Sequence, residues 1–78
     1  MQIDIYRDGE NYYVCQGQGT VALRWFRDGE HWTCVKEKLP PGLEQADAGE
    51  LPGDLQEELL AFLTRAEMMG NQIWSSPN

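Results

Sequence analysis

The segment Tyr6-Arg7-Asp8-Gly9-Glu10-Asn11-Tyr12 returns twenty residues later as Phe26-Arg27-Asp28-Gly29-Glu30-His31-Trp32. Aromatics match at both ends, and Arg-Asp-Gly-Glu is unchanged between them. Asp-Gly between β-prone runs is a strong hairpin signal, because glycine accepts the positive φ that a tight turn demands. A chain that says this twice is constrained to two like hairpins in succession.

The side chains sort only in certain registers. With Asp8-Gly9 as a two-residue loop, Arg7 is expected opposite Glu10, Ile5 opposite Tyr12 and Ile3 opposite Val14. Directly opposed residues share a face, so Ile3, Ile5, Tyr12 and Val14 gather on one side. In the second hairpin, Asp28-Gly29 sets Trp25 against Trp32, Leu23 against Cys34 and Val21 against Lys36. If the Gln16-Gly17-Gln18-Gly19 loop joins neighbours, Val14 meets Val21 and Tyr12 meets Leu23, on the same side again. A slip of one residue would turn this apolar set outward. The Arg and Glu of each repeat are expected to face one another as turn-flanking ion pairs.

After the fourth strand the alternation stops at Pro40-Pro41-Gly42, since proline cannot donate to a strand ladder. Residues 38–53 read as an irregular segment crossing the sheet, with Leu39, Leu43 and Leu51 as anchors. A helix follows. Asp54 is expected to cap it, with Glu57 at the third helical position. Leu55, Leu59, Phe62, Leu63, Ala66 and Met69 form one stripe at helical spacing, and Gly70 stands where a left-handed end cap belongs. Ile73 and Trp74 are expected to fold back on the helix end.

These readings define an α+β fold of the form ββββα. It is a four-stranded antiparallel meander of two tandem Asp-Gly hairpins, with one C-terminal amphipathic helix across Ile3, Ile5, Leu23, Trp25 and Trp32. Strands are expected at about 2–7, 11–16, 20–27 and 31–37, and the helix at about 54–69. A single domain over 1–74 would leave residues 75–78 as a frayed tail. At 78 residues the core is small, and three Trp, three Tyr and two Phe supply much of its area.

Thirteen acidic residues against six basic ones give a net charge of -7. Nucleic-acid binding is therefore not expected, because it needs basic groups to neutralise phosphates. Asp4, Arg7 and Asp8 interrupt any apolar leader, and no run approaches a membrane span. A cytoplasmic protein without membrane association is the expectation.

Catalytic chemistry finds little material. The one histidine, His31, sits beside a turn, and the meander keeps it away from Cys15. Cys15 and Cys34 fall on opposite faces, which disfavours a shared metal, and a disulfide too. Cys34 reads as a core residue and Cys15 as a partly exposed thiol. Glu44, Asp47, Glu50 and Asp54 lack the ligand density of a calcium loop. The expectation is a non-catalytic chain with no cofactor and no metal.

The face away from the helix is the candidate surface. Tyr6, Tyr13, Phe26 and Val35, with Ala22, would make an apolar patch there, edged by Arg24 and His31. Aromatics rimmed by polar groups mark interaction sites. The candidate protein interface is Tyr6, Tyr13, Arg24, Phe26, His31 and Val35. It implies a protein partner or self-association as a homodimer, through this face or an edge strand. The alternative reading is an acidic inhibitor, immunity or antitoxin-like protein that binds a basic partner.

Overall fold

A computed structural model describes residues 3–16 and 21–69. Strands β1 (Ile3–Asp8), β2 (Asn11–Gln16), β3 (Val21–Asp28) and β4 (His31–Lys38) follow one another. A short β5 (Glu44–Ala46), a 3-10 turn (Ala48–Glu50) and helix α1 (Gly53–Met68) complete the described residues. The loop at 17–20, the Gly70 cap, the Ile73-Trp74 return and the tail lie outside the described residues. The α+β class holds, with one C-terminal helix on an antiparallel sheet.

Among the described residues the sheet has five strands, not four, in the order β4-β3-β2-β1-β5. The added strand lies inside the segment read as irregular. It pairs antiparallel with β1, placing Ala46 opposite Ile5 and Glu44 opposite Arg7. Three residues are too few to display an alternation, and Glu-Gln-Ala has no β-prone composition. What makes the strand is the free edge of β1, together with burial of Ala46 beside Ile5.

The hairpin registers differ from expectation by two residues. Ile5 opposes Val14 and Arg7 opposes Tyr12; Trp25 opposes Cys34 and Arg27 opposes Trp32. Between the hairpins, Tyr12 meets Trp25 and Val14 meets Leu23. Gly9 and Gly29 explain the shift, at φ of 62° and 66°. Each takes the first central position of its turn, where a positive φ is needed, so Gly-Glu forms the loop and Asp8 and Asp28 close the strands. A shift of two restores every side chain to its original face. The sorting therefore survives, while the proposed Arg–Glu turn pairs do not.

The inner face carries the main core. Ile5, Val14, Leu23, Trp25 and Trp32 meet Leu55, Leu59 and Phe62 of α1, with Ala46 and Leu51 closing the β5 side. Trp25 and Phe62 pack edge to face, their centroids 5.4 Å apart at 88°. Leu55, Leu59, Phe62 and Ala66 are buried as the stripe predicts, and Leu63 is half-buried. Met69 departs from the stripe, exposed beyond the last helical residue.

The helix also begins differently. Pro52 stands at the cap, and its carbonyl accepts the Gln56 N–H at 2.9 Å. Proline's fixed φ suits a helix start and its missing N–H costs nothing there. Asp54 sits inside the first turn, where its carboxylate accepts the Leu55 N–H at 2.9 Å. A reciprocal arrangement of the kind expected at Asp54 occurs seven residues earlier, where the Asp47 N–H donates to Glu50 Oε2 at 2.7 Å.

Candidate interface at the outer face and free edge

The connection from β4 to β5 decides what the outer face exposes. Those strands lie at opposite edges of the sheet. Only residues 39–43 join them, too few to travel round it, so they cross the face that α1 leaves open. Leu39 and Leu43 pack there against Tyr13, Cys15 and Ala22, with Tyr6 beside them. Gly42, at φ 79°, turns the chain toward β5.

This second, smaller core corrects two expectations. Tyr13 is 4% exposed and Ala22 is fully enclosed, so neither offers a surface. Cys15 is buried, not partly exposed, and its thiol donates weakly to the Asp4 carbonyl at 3.9 Å. The reason is the topology just described, which hinges on β5.

The six candidate residues consequently divide. Tyr6 and Tyr13 face each other across β1 and β2 beneath the crossing segment. Arg24 and Val35 face each other across β3 and β4, with Phe26 opposite Thr33 and His31 closing the turn opposite Asp28. Val35 is 39% exposed, and Arg24, Phe26 and Thr33 are half-buried. The open outer surface is thus a strip along β3 and β4.

Glu37 organises the boundary between covered and open parts. It accepts Arg24 Nε at 3.0 Å through one oxygen and the Tyr13 hydroxyl at 3.4 Å through the other. Held this way, the Arg24 guanidinium lies 4.8 Å above the Phe26 ring. Burial, and then the charge of Glu37, raises the Tyr13 pKa above its ordinary 10.0. The strip is therefore pre-arranged: a fixed aromatic capped by a fixed cation.

The strip adjoins the β4 edge of the sheet. Among the described residues β4 has β3 as its one neighbouring strand, and it runs for eight residues. An edge strand directs every second residue's N–H and C=O groups away from its neighbour, toward any strand added there.

On the inner face, the repeat arginines do something the sequence did not suggest. Arg7 bonds Glu50 at 3.2 Å and Arg27 bonds Asp54 at 3.0 Å. Arg27 also lies 4.5 Å above Trp32. Arg7 and Arg27, with Tyr12, Trp32 and Pro52, border a cleft of about 540 Å³ at the turn end of the sheet. The Trp32 indole N–H completes no hydrogen bond. It nevertheless lies close enough to Asp54 to be the leading cause, ahead of Arg27, that holds this carboxyl below its usual 3.8. The two arginines are engaged with carboxylates of the 47–54 segment, so the cleft edge is a latch that ties this segment to both hairpins. Parity alone places Arg7 and Arg27 on the helix side; of their partners, Glu50 comes from a stretch without periodicity and Asp54 from the first turn of α1.

Among the described residues no three His, Cys, Asp or Glu side chains converge as metal ligands. Cys15 lies in the outer cluster and Cys34 against the inner core, both as free thiols. Burial raises both pKa values from the usual 9.0; Asp4 adds to this at Cys15, and Arg65 offsets it at Cys34. Burial outweighs the other causes at both sites, so neither thiol is shifted toward the thiolate form. No helix among the described residues is long and apolar enough to cross a membrane.

The chain matches no protein-family model, no curated protein and no solved structure. No relative's activity can be carried onto these residues.

Proposed function

We propose that the chain is a non-catalytic protein-interaction domain that docks its partner along the outer edge of β4 and the adjoining strip of Phe26, Thr33 and Val35. The observation that carries this reading is the asymmetry of the sheet. Its β1 side is extended by β5 and its outer face is crossed by Leu39 and Leu43, whereas among the described residues no strand lies beyond β4. An added strand would gain main-chain hydrogen bonds there and side-chain contacts on the strip. A cytoplasmic setting suits a chain whose two thiols are free.

The test is resonance broadening of the isotopically labelled chain in extract of its native host. Broadening confined to Phe26, Thr33, Val35 and the β4 amides is expected. Broadening centred on the Arg7–Arg27 cleft would overturn the reading.

A second reading is an acidic inhibitor, immunity or antitoxin-like protein for a basic partner. Exposed Glu44, Asp47, Glu57, Glu58 and Glu67 support it. Attraction of that kind is screened by salt, so affinity unchanged by ionic strength would remove it.

A further inference from the structure

The solvent side of α1 carries more apolar surface than the fold requires. Leu55, Leu59, Phe62 and Ala66 are buried, while Leu60 stands outside that stripe at 68% exposure. Leu60, half-buried Leu63, Thr64 and Glu67 line a cleft of about 180 Å³ on the helix flank. The Thr64 hydroxyl donates to the Leu60 carbonyl at 2.9 Å, which withdraws that donor from the cleft. Pockets for small molecules run to about 300–1,000 Å³, so this one suits a single aliphatic side chain of a larger partner.

Charge decides what kind of partner. The helix carries Asp54, Glu57, Glu58 and Glu67 against Arg65 alone. Glu67 borders the cleft, and Glu57 lies one turn before Leu60. Among the described residues neither carboxylate accepts a hydrogen bond or joins an ion pair. Arg65 is two residues from both Leu63 and Glu67, which places it on the opposite flank. A second copy is a poor occupant: it brings the same net charge of -7, and its three hairpin arginines are already paired with carboxylates. Anionic lipid and nucleic acid are repelled in the same way.

We propose that this flank of α1 docks a basic amphipathic segment of another protein. One aliphatic side chain enters the cleft beside Leu60, and lysine or arginine on either side of it meets Glu57 and Glu67. Those carboxylates lie ten residues apart, about 15 Å along the helix, which about three turns of a partner helix span. The proposal rests on the basic-partner reading above and gives it a face.

The test titrates the isotopically labelled full chain with an amidated peptide of leucine and lysine patterned as an amphipathic helix. Shifts at Leu60, Leu63, Thr64 and Glu67 are expected, with affinity falling as salt rises. Leu60→Ser keeps the charge and should weaken binding about tenfold by removing the apolar contact. Glu57→Gln with Glu67→Gln should weaken it about fivefold. Glu30→Gln with Glu44→Gln removes the same charge elsewhere and should leave the affinity within about twofold. All five positions are exposed, so each variant keeps the fold.

Shifts centred elsewhere, equal weakening by the two charge pairs, or indifference to Leu60→Ser overturns the cleft and leaves the basic-partner reading standing. A dimer in sedimentation equilibrium that Leu60→Ser dissolves overturns the foreign partner in favour of a second copy. No binding at any ionic strength overturns both the cleft and the basic-partner reading.

Discussion

Replacing Leu39 and Leu43 together by alanine removes what covers the outer face, and the size of the effect can be worked from their burial. A leucine side chain fully removed from water contributes about 1.5–3 kcal/mol. Leu39 and Leu43 are each half-buried, packed on Tyr13, Cys15 and Ala22. Each truncation should then cost about 1 kcal/mol and the pair about 2 kcal/mol. For a small domain with a urea slope of roughly 1 kcal/mol/M, the unfolding midpoint should fall by about 2 M.

A second readout isolates the cover itself. Cys15 is enclosed beneath it, so alkylation must await an opening of the segment. If the lost 2 kcal/mol acts on that opening, Cys15 labelling should accelerate by about thirtyfold. Peptide mapping by mass spectrometry separates this signal from Cys34. Unchanged Cys15 labelling with an unmoved midpoint would refute the second core and the crossing path with it.

Three further expectations follow from the same structure. Leu55→Ala, at a site 1% exposed, should cost about 2–5 kcal/mol. Leu60→Ala, 68% exposed on the same helix, should stay within about 0.5 kcal/mol by urea titration. Gly9→Ala and Gly29→Ala meet open space yet sit at positive φ, so each should destabilise by about 1 kcal/mol through conformation alone. Thermal melting over a pH series checks the titrating groups. The raised pKa values of Cys15, Cys34 and Tyr13 mean that the unfolded chain loses protons first, so stability should be intact below pH 9 and decline above it. The lowered Asp54 value works the other way, with its contribution present above pH 3.8 and lost as pH falls through the lowered value.

How much of this is legible in the sequence depends on which quantity is asked for. Faces are legible, because alternation reports parity and parity is unchanged by a shift of two. For the same reason alternation cannot distinguish an Asp-Gly loop from a Gly-Glu loop; the φ demand at the first central position of the turn makes that choice. The helix stripe is legible from Leu55 to Ala66 because one buried face imposes one period. Its beginning is not, since Pro52 competes with Asp54 as the starting residue.

β5 leaves no pattern in three residues, and everything downstream of its edge choice is hidden as well. That includes the burial of Tyr13 and Cys15 and the partners of Arg7 and Arg27. Within the candidate surface, Arg24, Phe26 and Val35 could be placed from strand parity alone. Excluding Tyr6 and Tyr13 required knowing where residues 39–43 go.

The crossing segment also breaks the equivalence of the two repeats. Tyr13 and Cys15 of the first correspond by position to Thr33 and Val35 of the second, yet the first pair is sealed and the second is not. Two copies of one unit thus meet different packing constraints. The first hairpin must keep volumes that fit beneath Leu39 and Leu43, and its substitutions are judged by packing. The second is held in the same way at Ala22, but at Thr33 and Val35 its outer side can change without repacking the fold, so new binding chemistry can enter there while its twin holds the architecture constant.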